Sequence, residues 1–394
     1  MKYSPFVERI AGEGAAAWAI HSEAIAAKAR GEDVIVLSVG DPDMDTPAAV
    51  TDRAISALKQ GDTHYVGVQG TPSLRDAIAR HASHGMKLPL TAENVCVTAG
   101  AQNGLFFASL LLLQPGDEVI MPDPCYVTYE ATVRAAGATP IAVPPRAGAG
   151  FRPDPDQIAA RVTPRTRALL WASPNNPTGT VTSTDEARAL AAIACKHDLW
   201  VISDEVYSGL TFGVEHVSIA SLPGMAERTL TISSLSKSHA MTGWRCGWII
   251  GPEQAIAHAG NLSLCMLYGL PGFVQQAAET ALENADAISA RMRDIYARRR
   301  DALLAALAPA PGIKSVAPDA GMFLMVDISA TGMSANEFSW ALLRETGVSA
   351  LDATAFGPSA AGYVRLSFTL NEETLSEAGR RIVEFCRNHA AQMA

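Results

Sequence analysis

The 394-residue sequence has no long apolar run, no closely paired cysteines, no clustered histidines and no excess of positive charge. Each absence removes a class of function. No apolar stretch reaches the roughly 20 residues that a membrane-crossing helix requires. The opening Met1-Lys2-Tyr3-Ser4-Pro5 lacks the charged-then-apolar order of an export signal. The six cysteines, at 96, 125, 195, 246, 265 and 386, form no C-x-x-C pair. Each stands in an apolar or mixed segment and reads as a reduced thiol, in the core or lining a site, rather than as part of a disulfide frame or zinc site. No two histidines have H-x-x-x-H spacing, which leaves no candidate metal site. Lys and Arg number 31 against 40 Asp and Glu, a net charge of -9, and such a surface attracts neither nucleic acid nor an anionic membrane. The reading is of a soluble cytoplasmic protein with a small-molecule partner.

The length suits two domains rather than one small core, and no internal repeat or low-complexity linker interrupts it. Residues 1–14 show weak periodicity. Strands are expected at 34–37, 95–98, 118–121, 139–143, 168–172, 200–203, 229–233 and 246–250. Helices are expected at 15–30, from Pro47 to about 60, and at 72–81, 105–113, 127–136, 156–161 and 184–197. This alternation predicts an α/β fold, a large domain whose mostly parallel sheet is covered by helices on both faces. A long helical region over 272–307 reads as a connector, with Arg298-Arg299-Arg300 as a solvated face. Strands at 321–327 and 363–368 and helices at 334–345 and 372–387 then predict a smaller α+β domain that takes in the first 45 residues. The expected division is an N-terminal arm and part of the small domain at 1–45, a large domain at 46–285 and a C-terminal small domain at 286–394.

Turns at 99–104, 173–179, 203–207 and 233–237 each follow a strand, and in such folds ligands collect beyond the C-terminal strand ends. The small-residue turn 99–104 leads into a helix N-terminus, whose unpaired N–H groups suit a phosphate; packing of helix on sheet is the plainer alternative. In Ser233-Ser234-Leu235-Ser236-Lys237-Ser238-His239-Ala240-Met241-Thr242-Gly243-Trp244-Arg245 a lysine stands among small hydroxylic and apolar residues. A buried ammonium is costly unless its pKa falls or it is covalently joined to something, so Lys237 is either a reactive amine or part of a surface turn.

Six stretches share one explanation: Tyr65-x-x-x-x-Gly70, Gly100-Ala101-Gln102, Ser173-Pro174-Asn175-Asn176-Pro177-Thr178-Gly179, Ser203-Asp204-Glu205-Val206-Tyr207, Ser234-x-x-Lys237 with Arg245, and Tyr363-Val364-Arg365. In this order, over nearly the whole chain, the sequence resembles the class I/II aminotransferases of the fold-type I pyridoxal-phosphate enzymes. The resemblance implies pyridoxal 5'-phosphate as cofactor, an amino acid and a 2-oxo acid as substrates, and a homodimer with shared active sites. It makes Lys237 the amine joined to the cofactor and, once displaced by substrate, the proton carrier at the α-carbon. It sets Asp204 against the pyridine nitrogen, keeping it protonated so that the ring draws electrons; the alternative is a helix cap. Tyr207 and Asn176 are implied to bond the ring's phenolic oxygen, although the Pro and Gly of Asn176-Pro177-Thr178-Gly179 also make a turn by themselves. Tyr126 is implied to stack on the ring, or else is a core aromatic. For the phosphate the family supplies Ser234, Arg245, the N–H groups near Gly100, Ala101 and Gln102, and Tyr65 from the neighbouring subunit. Arginine suits that role because its planar fork binds two oxygens at once. Arg365, aided by backbone at Gly40, is implied to grip the substrate α-carboxylate; otherwise it is an exposed strand residue.

Acid-specific bacterial members of the family carry a lysine where this sequence has Gln102, which disfavours an acidic donor. Arg9-Ile10-Ala11-Gly12-Glu13-Gly14-Ala15-Ala16-Ala17-Trp18 and Cys265-Met266-Leu267-Tyr268-Gly269 resemble the arginine:pyruvate transaminases in particular, which implies L-arginine as donor and pyruvate as acceptor. On that reading Glu13 meets the guanidinium, Trp18 packs on its stem or face, and Tyr268 reaches in from the partner subunit; alternatively Glu13 is a solvated arm residue. A C–S lyase on the same fold, an aminotransferase with a neutral or aromatic donor, and a non-catalytic ligand-sensing module are the competing functions.

Overall fold

A computed structural model of the chain describes residues 1–10 and 18–389. Among them thirteen strands form three sheets: β1 (Ile35–Val36), β2 (Val95–Ala99), β3 (Glu118–Pro122), β4 (Thr139–Val143), β5 (Thr166–Ala172), β6 (Trp200–Asp204), β7 (Thr229–Ser234), β8 (Cys246–Ile250), β9 (Lys314–Val316), β10 (Phe323–Asp327), β11 (Val348–Ser349), β12 (Leu351–Asp352) and β13 (Tyr363–Ser367). The large sheet has the order β2-β8-β7-β6-β5-β3-β4. Its pairings are parallel except where β8 runs against β2 and β7. Apart from the edge strand β4, the strands are buried nearly throughout, as in a parallel sheet covered on both faces. On one face Leu105 and Phe107, Tyr129 and Val133, and Ile256 bring three helices onto Leu170, Ile202 and Ile232. On the other, Leu190 and Ile193 pack on Trp171 and Val201, while Leu74, Ile78 and Val274 pack on Val97 and Trp248.

The second sheet, β12-β13-β10-β9, is antiparallel and packs through Leu303, Phe338 and Phe385 on the helices Ala285–Leu307, Ala335–Thr346 and Glu372–His389. The N-terminal segment joins it. Ile35 of β1 pairs in parallel with Val348 of β11, and the Ser367 N–H donates to Leu37 O at 2.7 Å. Helix starts follow local chemistry. Ser183 and Glu186 close a capping box at the helix Thr184–Lys196, as do Ser334 and Glu337 at Ala335–Thr346.

Several expectations need correction. The turn expected at 99–104 is confined to Gly100, at φ 79°, and the helix runs Ala101–Leu112 rather than from 105. Gly104, read as a turn residue, is a packing glycine: a Cβ there would lie 3.1 Å from Ile232 and 3.3 Å from Ile249. The helix expected to end near 81 continues over Pro72–Met86 to a left-handed Lys87. A further helix, Glu253–Met266, is absent from the expected elements; its Gly260 admits the Gln69 side chain. The region 272–307 is two helices, Gly272–Glu283 and Ala285–Leu307, divided at Asn284. Pro47 precedes the helix Ala48–Lys59 as its N-cap, and a short helix, Pro5–Ile10, buries nothing. Cys195 and Cys265 are exposed, so only four of the six free thiols are buried.

The arginine run is not a solvated face. Arg299 is 5 % exposed and donates through Nη1 and Nη2 to the Asp43 carboxylate at 2.7 and 2.9 Å, with Nη1 also donating to Thr369 O. Arg300 stacks on Phe212, 4.6 Å from its ring centre. Arg299 falls on the buried stripe of this helix, three positions after Tyr296 and four before Leu303, whereas Arg298 and Arg300 flank that stripe. Arg299 is buried but the Asp43 carboxylate is partly exposed, so water makes up part of a lost contact. Asp43→Asn should therefore destabilise the protein by on the order of 1 kcal/mol, seen as a lower urea midpoint, whereas Arg298→Ala should leave the midpoint nearly unchanged.

Candidate active site

The C-terminal ends of β2, β5, β6 and β7 lie along one edge of the large sheet, and the segment carrying Gly40 and the strand β13 close over that edge. Between them is a cavity of about 240 Å³. Gly40, Ala101, Gln102, Tyr126, Asn176, Asp204, Tyr207, Ser234, Lys237, Arg245, Arg365 and Trp18 all line it. Residues from positions 18 to 365 thus meet at one place.

Lys237 is partly buried and donates through Nζ to Gly40 O at 2.6 Å. Burial, with the nearby Arg365 and Arg245 charges, lowers its pKa from 10.5 to about 8, although Asp41 opposes the shift. Gly40 has no room for a side chain, because a Cβ would overlap the Phe323 ring. Its carbonyl therefore positions the reactive amine, a task the sequence did not suggest.

Asp204 ends β6. Its Oδ2 accepts from the Tyr129 hydroxyl at 2.6 Å and its Oδ1 from the Val206 N–H at 3.1 Å. Burial raises its pKa, and those two hydrogen bonds offset part of the rise. Among the described residues it has no cationic partner, so it presents an acceptor awaiting one. The sequence reading missed Tyr129, fully buried three positions after Tyr126 on the helix Thr128–Ala135. Tyr126 lies just before that helix, and the two rings meet edge to face at 5.8 Å.

At the other end Arg365 is 2 % exposed, not an exposed strand residue. Nη1 donates to Asn176 Oδ1 at 2.9 Å and Nη2 to Ser38 O at 3.0 Å. Its guanidinium lies between two rings, 3.9 Å from the centre of Phe323 and 4.7 Å from that of Phe356. Nε is buried without a partner. Burial lowers its pKa to about 10, which leaves it charged at neutral pH. Tyr207 is buried and its phenol is pushed up by desolvation.

Gly100 makes the turn at the head of the helix Ala101–Leu112, and no side chain caps the first-turn N–H groups. Arg245, exposed and at φ 53°, is held by Thr242 O at 2.8 Å and Ala99 O at 3.2 Å, which sets its guanidinium over Gly100, where a Cβ would collide with it. Ser234 Oγ, buried, accepts from Ser236 N at 3.3 Å. The Thr128 hydroxyl bonds Gln102 Oε1 at 2.7 Å. Two expected residues are elsewhere in the chain. Tyr65 and Tyr268, 85 % and 49 % exposed, pack on each other at 4.7 Å, away from this cavity. Glu13 lies outside the described residues.

Residues 32–382 match the family model described as aminotransferase class I and II. This chain belongs to the class I and II aminotransferases. The sequence of this aminotransferase is 53% identical over 382 residues, 97% of each chain, to arginine–pyruvate transaminase AruH of Pseudomonas aeruginosa. It is 36% identical over 354 residues to the aspartate aminotransferase of Pyrococcus horikoshii, covering 89% of this chain and 90% of that one. Its fold superimposes on Thermus thermophilus aspartate aminotransferase with maleate at a TM-score of 0.92, with 36% identity and 98% and 99% of the two chains covered.

The family works with pyridoxal phosphate, and the cavity fits that group. Asp204 is a buried acceptor without a cation, Lys237 an amine with lowered basicity, and the uncapped helix start with Ser234 and Arg245 a cradle for a dianion. When bound, the cofactor supplies an electron sink for a carbanion at the substrate α-carbon.

Two outcomes follow from this geometry. Lys237 loses its proton near pH 8, so covalent uptake of pyridoxal phosphate by cofactor-free protein should accelerate as pH rises through about 8 and then level off; stopped-flow absorbance would detect instead a rise continuing past pH 10 if the amine were ordinary. Tyr129→Phe removes a hydrogen bond to the charged form of Asp204, raising its pKa further, and should weaken cofactor binding roughly tenfold, the equivalent of about 1.5 kcal/mol, in an absorbance titration.

Proposed function

We propose that this aminotransferase moves the amino group of L-arginine to pyruvate, giving 5-guanidino-2-oxopentanoate and alanine in two half-reactions at one site. The carrying observation is the 53% identity, over 97% of both chains, to a relative named arginine–pyruvate transaminase. The position held by lysine in acid-specific relatives is Gln102, a neutral side chain bonded to Thr128, which supports a donor without a side-chain carboxylate.

In this reading Arg365 takes the α-carboxylate of either substrate in a bidentate pair, using the face that Asn176 and Ser38 leave free. Lys237 Nζ, released from Gly40 O, takes the proton from the α-carbon and would return it two bonds away, to the carbon on the far side of the amino nitrogen, for which a pKa lowered to about 8 is well matched. Asp204, with Tyr129 behind it, holds the proton on the pyridine nitrogen. Tyr207 and the Asn176 amide donate to the ring oxygen, and Tyr126 covers the ring. Ser234, Arg245 and the N–H groups of Ala101 and Gln102 hold the phosphate.

Three further assignments belong to the proposal. The active unit is a cytoplasmic homodimer in which Tyr65 and Tyr268 serve the neighbouring site; both are exposed and turned away from their own cavity. Glu13 and Trp18 read the guanidinium and its stem, Trp18 lining the cavity. The chain divides into 1–45, 46–285 and 286–394, supported by one sheet within 95–250 and another within 314–367.

The test screens the twenty amino acids as donors with pyruvate and assays alanine. Arginine should be preferred, and Glu13→Gln should lower kcat/KM for arginine about tenfold while sparing an apolar donor, the equivalent of about 1.4 kcal/mol. No alanine from arginine would remove the substrate assignment, and release of ammonia without alanine would indicate lyase chemistry.

A further inference from the structure

A second buried carboxylate lies outside the cavity. Asp123, 7 % exposed, follows the end of β3 in the large sheet. Among the described residues it has no cationic partner. Its Oδ2 accepts from Ser359 Oγ at 2.8 Å and Ser359 N at 3.1 Å, and its Oδ1 lies 3.3 Å from the same N–H. Ser359 belongs to the segment between β12 and β13, so this contact ties the large sheet to the smaller one. Two residues on, the Cys125 N–H donates to Phe356 O at 2.9 Å. Gly357, between Phe356 and Ser359, has φ 136°, and a Cβ there would collide with Asp123 Oδ1. Phe356 is the outer of the two rings against the Arg365 guanidinium. On the other side, Pro124, next to Asp123, accepts from Asn175 Nδ2 at 3.3 Å, and Asn175 adjoins the Asn176 that accepts from Arg365.

From this we infer that Asp123 is a positioning residue for substrate carboxylate binding: through Ser359 and Gly357 it seats Phe356 on Arg365 and so keeps the guanidinium dry and aimed. The inference rests on reading Arg365 as the carboxylate clamp. The physical reason is that Phe356 ends a single 3-10 turn, Ala353–Phe356, with no sheet ladder of its own, so its seat on Arg365 depends on what grips the residues that follow. The grip comes from the large sheet, on which the cofactor site is also built. One carboxylate therefore registers the substrate-binding arginine against the reacting centre. Misplacing that arginine weakens binding of any α-carboxylate, donor or acceptor, more than it slows chemistry once the substrate is bound.

The test uses the cofactor-loaded enzyme. Asp123→Asn keeps the shape but turns an N–H toward the Ser359 N–H, and should raise KM for arginine and for pyruvate by the same factor, about tenfold, with kcat within about twofold and the cofactor dissociation constant unmoved. Ser359→Ala, which removes only the hydroxyl bond, should raise both KM values about threefold and carries the same criterion if Asp123→Asn fails to fold. In an Arg365→Lys background, Asp123→Asn should add little, because both act on one contact. Unchanged KM values in Asp123→Asn, a loss confined to kcat, or full additivity with Arg365→Lys would overturn the inference. If Arg365→Lys itself leaves both KM values unmoved, the clamp reading falls and this inference with it; a KM rise in Arg365→Lys but none in Asp123→Asn or Ser359→Ala would remove this inference alone.

Discussion

A positive charge held out of water is the constraint on which the active site depends. An unpaired guanidinium in a dry interior is strongly unfavourable, yet Arg365 is buried and no carboxylate pairs with it among the described residues. Two neutral oxygens and two aromatic faces offset part of that cost, cation–π contact contributing about 2 kcal/mol when desolvated. What they leave unmet is an affinity for an anion. The same charge, acting across the cavity, helps lower the basicity of Lys237 and of His21, so the device that binds the substrate also tunes the amine that acts on it.

The cavity is polarised. Asp204 sits at the sheet end with no counterion, and Arg365 at the opposite wall with none either. Joining them would neutralise both. The fold instead spends its hydrogen bonds keeping them apart: Tyr129 holds one, Asn176 and Ser38 the other. A bound group that is cationic near Asp204 and anionic near Arg365 then needs little reorganisation of its surroundings, which is where preorganised sites gain most.

The large sheet was legible in the sequence because its strands are short apolar runs separated by helical periods, and the turns at their ends carry residues with few other uses. Asp204, Asn176 and Lys237 fell at those ends. Local pattern failed where a residue's role is set by something distant. Gly104 looks like a turn residue until the strand side chains that need its space, Ile232 and Ile249, are known. Arg299 looks solvated until Asp43, 256 positions away, is placed against it. Phe323 and Phe356 are ordinary apolar residues in the sequence, and nothing local marks them as the walls of Arg365. Tyr129 stands three residues after Tyr126, but nothing local marks it as the partner of Asp204, 75 positions away.

The N-terminal segment pairs with one of the last parts of the chain to be made. Leu37 N bonds Ser349 Oγ, 312 positions away, and Ser38 O meets Arg365. Strands β2 to β8 can find one another while synthesis continues, but β1 has no partner until β11 emerges. During translation, then, a cofactor shelf can be assembled well before there is any place for a substrate carboxylate. Such long-range closure slows folding; it also means that a chain released early from the ribosome lacks the wall that defines a substrate.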